Sequence, residues 1–182
     1  LELLNDPVLD SEEAAAARAL AEGHATLIEG LYLASSDVPQ EAVSDFLQSA
    51  ETESQKLADF PAILINDISF PYTAGFEFTM ALYQQNGMTA IDNAWNNLPQ
   101  TTEHMLHPEQ YLAGDLPQIV SLPPLTSTLG TGWELLEEDT FGEFYLRQYL
   151  TQQLDENSVE VAASGWGGDQ YAVYWHEADE AL

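Results

Sequence analysis

The chain contains no cysteine, which excludes disulfides, iron–sulfur clusters, thiol catalysis and thiolate zinc sites. Any metal must take His, Asp or Glu. Positive charge is almost missing as well: Arg18, Lys56 and Arg147 stand against 31 acidic residues, a formal net charge of −28. No basic stripe can form, so neither nucleic acid nor an anionic membrane surface is expected as a partner. No apolar run approaches the roughly 18 to 20 residues of a membrane-spanning helix, and the sequence opens without a charged n-region or apolar h-region. There is no Gly-rich phosphate loop and no G-x-S-x-G elbow. His24, His104, His107 and His176 are the only imidazoles, and none has H-E-x-x-H spacing. His176-Glu177 begins that pattern but continues Ala-Asp-Glu.

What is present is enough apolar material for a core. Of the residues 45% are hydrophobic, aromatics are spread throughout, and the acid is not blocked into a tail as in a disordered polyacidic segment. A folded domain of this mass exposes roughly 8,700 Å², which spaces the carboxylates about 17 Å apart if they are even. At 0.1 M salt the screening length is about 10 Å and self-repulsion persists; at 1 M it is about 3 Å and neighbours become independent. A generic acidic protein would keep many lysines beside its glutamates, whereas this one has a single lysine. The composition therefore predicts a protein of an extreme halophile, one that loosens when salt falls.

At 182 residues, without repeats or Gly/Ser linkers, a single domain is expected over 1–182. Asp10-Ser11-Glu12-Glu13 supplies an N-cap with a glutamate three residues on, and Leu20, Leu27 and Leu31 recur at helical spacing toward Ser35. Pro39 opens a second helix, to about Ala58. Pro61 opens a third that Pro71 interrupts or kinks before Tyr72 to Gln85, with Asn86-Gly87 as a stop and a short fourth helix over Thr89 to Asn97. From Leu98 to Gly132 the prolines and glycines predict an irregular segment with one short helix near Thr102 to His107. Asp139 to Leu154 reads as helix, Ser158 to Ser164 as a short helix or strand, and Gln170 to His176 as a strand. The fold class is mainly α with a small β part.

Four segments carry recognisable patterns: Ala19-Leu20-Ala21-Glu22-Gly23-His24-Ala25-Thr26 reads A-L-x-E-G-x-A-T, and Phe70-Pro71-Tyr72-Thr73-Ala74-Gly75 reads F-P-Y-x-x-G. The run Pro99 to Tyr111 reads P-x-S/T-T-E-x-x-L-H-P-E-x-Y, and Gly165 to Tyr171 reads G-W-G-G-D-x-Y. In this order the four resemble the motifs of a family of zincin metallopeptidases of archaea and some bacteria. The resemblance implies a helical zincin-like domain, with Glu22 as third zinc ligand and the other ligands on an upstream H-E-L-x-H helix that this sequence lacks. It implies zinc in a longer parent, none held by this chain alone, and a peptide or protein substrate. The chain then reads as an internal portion of such a protein, inactive as given; the alternative is a non-catalytic binding scaffold of the same fold. A secreted or cell-surface parent fits the peptidase resemblance, while oligomeric state stays open.

Each residue singled out also has a plainer reading. Glu22 shares a helix face with Arg18 and equally well makes a surface i, i+4 pair worth about 0.3 to 0.5 kcal/mol. His107 sits where a last-turn histidine favours the helix dipole; with Tyr72 as a lesser candidate, it could instead stabilise an oxyanion over the metal cleft. His104 is a weaker companion, and His24 reads as a packed helix histidine. The three glycines before the last strand read as a turn.

Overall fold

The computed structural model describes residues 10–35, 37–57 and 59–176. It is mainly helical (65% helix) with a small two-stranded antiparallel sheet, as the sequence predicts. In chain order the elements are α1 (Ser11–Leu33), α2 (Gln40–Leu57), α3 (Ala62–Asn96), α4 (Thr102–Leu106), α5 (Pro108–Ala113), α6 (Thr126–Leu129), β1 (Trp133–Asp139), α7 (Gly142–Leu150), α8 (Glu156–Ala163) and β2 (Tyr171–His176). Among the described residues no helix is long and apolar enough to cross a membrane. The chain folds as two compact units, one holding residues 10–15, 100–104 and 109–176, the other 16–99 and 105–108.

In the second unit the core comes from α1 and α3. Ala16, Ala19, Leu20 and Leu27 are buried on α1, and Phe78, Leu82, Ile91 and Ala94 on α3. Each large side chain so buried stabilises the unit by roughly 1.5–3 kcal/mol. The two helices touch at glycine: a Cβ built on Gly23 would lie 2.0 Å from the Gly75 carbonyl carbon, and one on Gly75 would lie 2.1 Å from the Ala19 oxygen. Two of the motifs quoted above thus meet backbone to backbone, through Gly23 and Gly75. Leu31, expected on the buried stripe, is 39% exposed near the end of α1.

Pro71 does not break α3. Backbone angles leave the helical range only at Asn86 (φ −149°) and Gly87 (φ 59°), where the sequence predicts the stop. The ring of Pro71 is buried, and packing of that face offsets the hydrogen bond its missing N–H cannot make. α2 ends at Leu57, and Ala58 lies outside the described residues.

In the first unit Asp10 caps α1 as expected, its Oδ1 accepting the Glu13 N–H at 2.9 Å. The segment before Gly132 carries three short helices, α4, α5 and α6, rather than one. Residues 133–139 form β1, so Asp139 closes a strand and the helix expected from it starts at Gly142 and ends at Leu150. β1 pairs antiparallel with β2, from Trp133 opposite His176 to Asp139 opposite Tyr171, with an irregularity between Leu135 and Glu137. Residues 158–164 belong to helix α8 and its cap, with Asp155 accepting from the Ser158 N–H. Arg147 ties α7 to α8: it lies 2.7 Å from the fully buried Glu143 and also bridges to Glu160.

Candidate functional site

Three carboxylates of the first unit, Glu12, Glu103 and Glu143, stand apart from the solvated majority, and Glu12 lines a cleft. Glu12, in the first turn of α1, is 3% exposed. Its Oε2 accepts the Thr102 backbone N–H at 2.7 Å and the Thr102 hydroxyl at 2.8 Å. Burial pushes its pKa up to about 7, against the lowering effect of the Thr102 donors, with the charges of Asp10 and Asp169 adding to the rise. The Thr102 oxygen in turn accepts the Phe144 N–H at 3.1 Å. Gly142, at φ 77°, leaves space for the carboxylate: a Cβ there would fall 2.0 Å from Glu12 Oε1.

Asp169 completes the arrangement at the start of α7. Its carboxylate accepts the N–H groups of Phe141 (2.7 Å) and Gly142 (3.2 Å) and the Trp166 indole N–H (2.8 Å). Of the glycines preceding it, Gly168 has positive φ, 144°, and a Cβ there would lie 2.2 Å from the Gln118 oxygen. The loop makes a close backbone contact with the 117–120 segment, where the Gln118 N–H donates to the Gly167 oxygen at 2.6 Å; of the glycines expected to form a turn, Gly165 alone lies in one, and Gly168 alone has positive φ.

These groups line a polar cleft of about 240 Å³. Asp10, Glu12, Glu13 and Asp169 stand in its lining with Gln100, Gln118 and Gln170, the Gln170 amide accepting the Leu122 N–H and donating to Glu138. Such a lining suits a ligand that brings positive charge and hydrogen-bond donors. The Pro99–Tyr111 motif reaches the cleft through Gln100 and Thr101, and the Gly165–Tyr171 motif through Trp166, Gly168, Asp169 and Gln170.

The residues that sequence reasoning singled out lie elsewhere. Glu22 is half-buried on α1 in the second unit, its carbonyl accepting the Thr26 hydroxyl at 2.8 Å. Tyr72 is 43% exposed on α3, and His107 is half-buried between α4 and α5. None of the three lines the cleft. α4 does stop at Leu106, directly before His107-Pro108.

His104 is committed at both ring nitrogens. Nδ1 accepts the Gln100 N–H at 3.1 Å, and Nε2, 2.9 Å from the Asp115 carbonyl, must carry the proton. Burial lowers its pKa, so the neutral form that this pattern needs is the stable one. His24 is a packed helix histidine, its Nδ1 accepting the Trp95 indole N–H at 3.1 Å. His176 stacks on Trp133, ring centroids 5.0 Å apart; the rest of the His-Glu pattern, from Glu177, lies outside the described residues. Among the described residues no three His, Asp or Glu groups are placed to hold a metal ion together.

Glu12, Thr102 and Asp169 escaped sequence reasoning as a group. Glu12 follows the N-cap by two positions and reads as ordinary first-turn acid. Asp169 carried a usable signal, since an aspartate set among glycines directly before a strand is placed to cap a neighbouring backbone.

A family model, "Domain of unknown function (DUF8575)", matches residues 132–182. That segment takes in β1, α7, α8 and β2, and with them Gly142 and Asp169. No curated protein and no solved structure matches the chain.

Proposed function

We propose that this chain is a binding module without a catalytic centre of its own, and that its ligand is a short cationic peptide segment held in the cleft of the first unit. The observation that carries the reading is the lining itself. The lining of a recess of about 240 Å³ includes Asp10, Glu13 and Asp169 together with the buried Glu12 and three glutamines. An arginine or lysine side chain supplies the positive charge this surface lacks. A peptide rather than a free amine is favoured by the resemblance to zincin metallopeptidases, whose ligands are peptides.

Isothermal titration with Arg-containing tripeptides, against the same peptides with Arg replaced by Glu, tests the proposal. Saturable binding of the cationic series is expected, weakened about tenfold by Gln118→Ala combined with Gln170→Ala, two losses of hydrogen-bond partners at a binding surface. Equal response to both series removes the reading.

A second reading is favoured by the order of the four motifs: the helical part of a zinc metallopeptidase-like protein of an extreme halophile, with Glu22 as a ligand and His107 and Tyr72 as auxiliary groups. Its zinc would depend on ligands beyond those described above. Elemental analysis in zinc-replete brine of the chain joined to an upstream H-E-L-x-H segment discriminates. One tightly held zinc there, absent from the chain alone and lost in Glu22→Ala, displaces the binding reading.

A further inference from the structure

Beside the connection from β1 to α7 lies a second cleft of about 510 Å³, within the first unit and sharing only Thr140 with the polar one. Its walls are aromatic. The Phe141 ring lies edge-on to Tyr171, centroids 6.5 Å apart at 89°, and tilted against Tyr145 at 5.9 Å and 34°. Tyr145 is backed by Phe144, centroids 5.0 Å apart, which fixes that wall. Two carboxylates, Glu137 and Asp139, join the lining with Ser11 and Thr140. We infer that this aromatic cleft is a binding site for a methylated ammonium group.

The choice of ligand follows from what the cleft offers and what it has already spent on itself. Ring faces carry the negative part of the aromatic quadrupole and attract cations, more strongly when water is excluded. The carboxylates add charge of the same sense, so a neutral apolar ligand would leave them uncompensated. Their acceptor positions are nevertheless partly used. Glu137 accepts the Tyr171 hydroxyl at 3.1 Å, and Asp139 Oδ1 accepts the N–H groups of Ser11 (3.3 Å) and Thr140 (2.8 Å). A potassium ion or a primary ammonium would lose its hydration shell here and find few oxygens to replace it. A trimethylammonium group needs no hydrogen-bond acceptors, presents methyls to the rings, and keeps the charge. Contact of this kind is short-ranged and survives molar salt, which screens charge attraction beyond about 3 Å.

Such a group can arrive on a free solute or on a trimethylated lysine of a protein tail. The experiment is titration of the chain in molar KCl with tetramethylammonium chloride and choline, with the neutral choline isostere 3,3-dimethylbutan-1-ol as control. Saturable binding of both cations is expected, with the isostere weaker by about tenfold. Phe141→Leu and Tyr171→Leu are expected to weaken choline about fivefold, each checked for cooperative melting, while Tyr171→Phe keeps the ring and stays within about twofold. A peptide bearing trimethyllysine identifies a protein source if it binds well above choline, and a free solute if it does not; either result supports the site, provided that the unmethylated peptide is weaker. Equal binding of the neutral isostere, or a Tyr171→Phe loss as large as Tyr171→Leu, overturns the inference.

Discussion

Glutamine in place of Glu12 isolates the cost of keeping one carboxylate in the interior. The folded-state pKa, about 7, stands above the ordinary 4.5, so the side chain prefers to fold protonated. Its stabilising share is complete below about pH 4.5 and is lost as pH climbs through about 7, because folding must then either bury a charge or take up a proton. A gap of about 2.5 pH units corresponds to about 3 kcal/mol. Glu12→Gln removes that slope but leaves an amide that cannot accept at both former oxygens, which returns about 1 kcal/mol of the gain. The variant is therefore expected to be more stable than the native chain by about 2 kcal/mol at about pH 8, and equal or slightly less stable near pH 4.5. Urea unfolding across this range in molar salt measures it. Taking the difference between the two proteins cancels the titration of the other carboxylates. A difference curve that stays flat from pH 4.5 to 8 would refute the assignment of Glu12 as a buried, titrating group.

Three further outcomes follow from the packing and the charge. Arg147→Ala strips the fully buried Glu143 of its cation and is expected to cost about 3 kcal/mol in thermal or urea unfolding, whereas Glu160→Gln, at the exposed end of the same bridge, costs under about 1 kcal/mol. Gly75→Ala forces a Cβ to 2.1 Å from the Ala19 oxygen and should destabilise by about 3 kcal/mol or more, while Gly30→Ala, which meets nothing within 4 Å on α1, should stabilise by about 1 kcal/mol; melting temperatures of the pair check both. Lowering salt from molar to about 0.1 M should depress the melting temperature steadily, since repulsion among the carboxylates returns over about 10 Å; a salt-independent melting curve counts against the charge argument.

The helices were legible where local chemistry set them. Asp10 caps, Asn86-Gly87 bends and β2 forms where expected because each depends on a few adjacent residues, although β2 is half-buried along its whole length rather than alternating. β1 was illegible for a definable reason. Leu135 and Leu136 are adjacent, which spoils a two-residue alternation, and the structure passes over Leu136 at the irregularity between Leu135 and Glu137. The cleft was hidden more deeply. Nothing near Glu12 in sequence announces Thr102, ninety residues on, or the space left by Gly142. Conversely, the E-G-x-A-T segment drew attention to Glu22, while the residue whose size is fixed by packing is its neighbour Gly23.

Both members of a two-stranded ribbon are edge strands, and each offers unpaired backbone groups to another chain. On β1 Glu134, Glu137, Glu138 and Asp139 discourage such stacking by repulsion. That protection fades with ionic strength, because brine shortens the reach of every charge. The register irregularity between Leu135 and Glu137 does not fade. By departing from the flat geometry a second ribbon would need, it works against fibre-like growth by shape alone at any ionic strength.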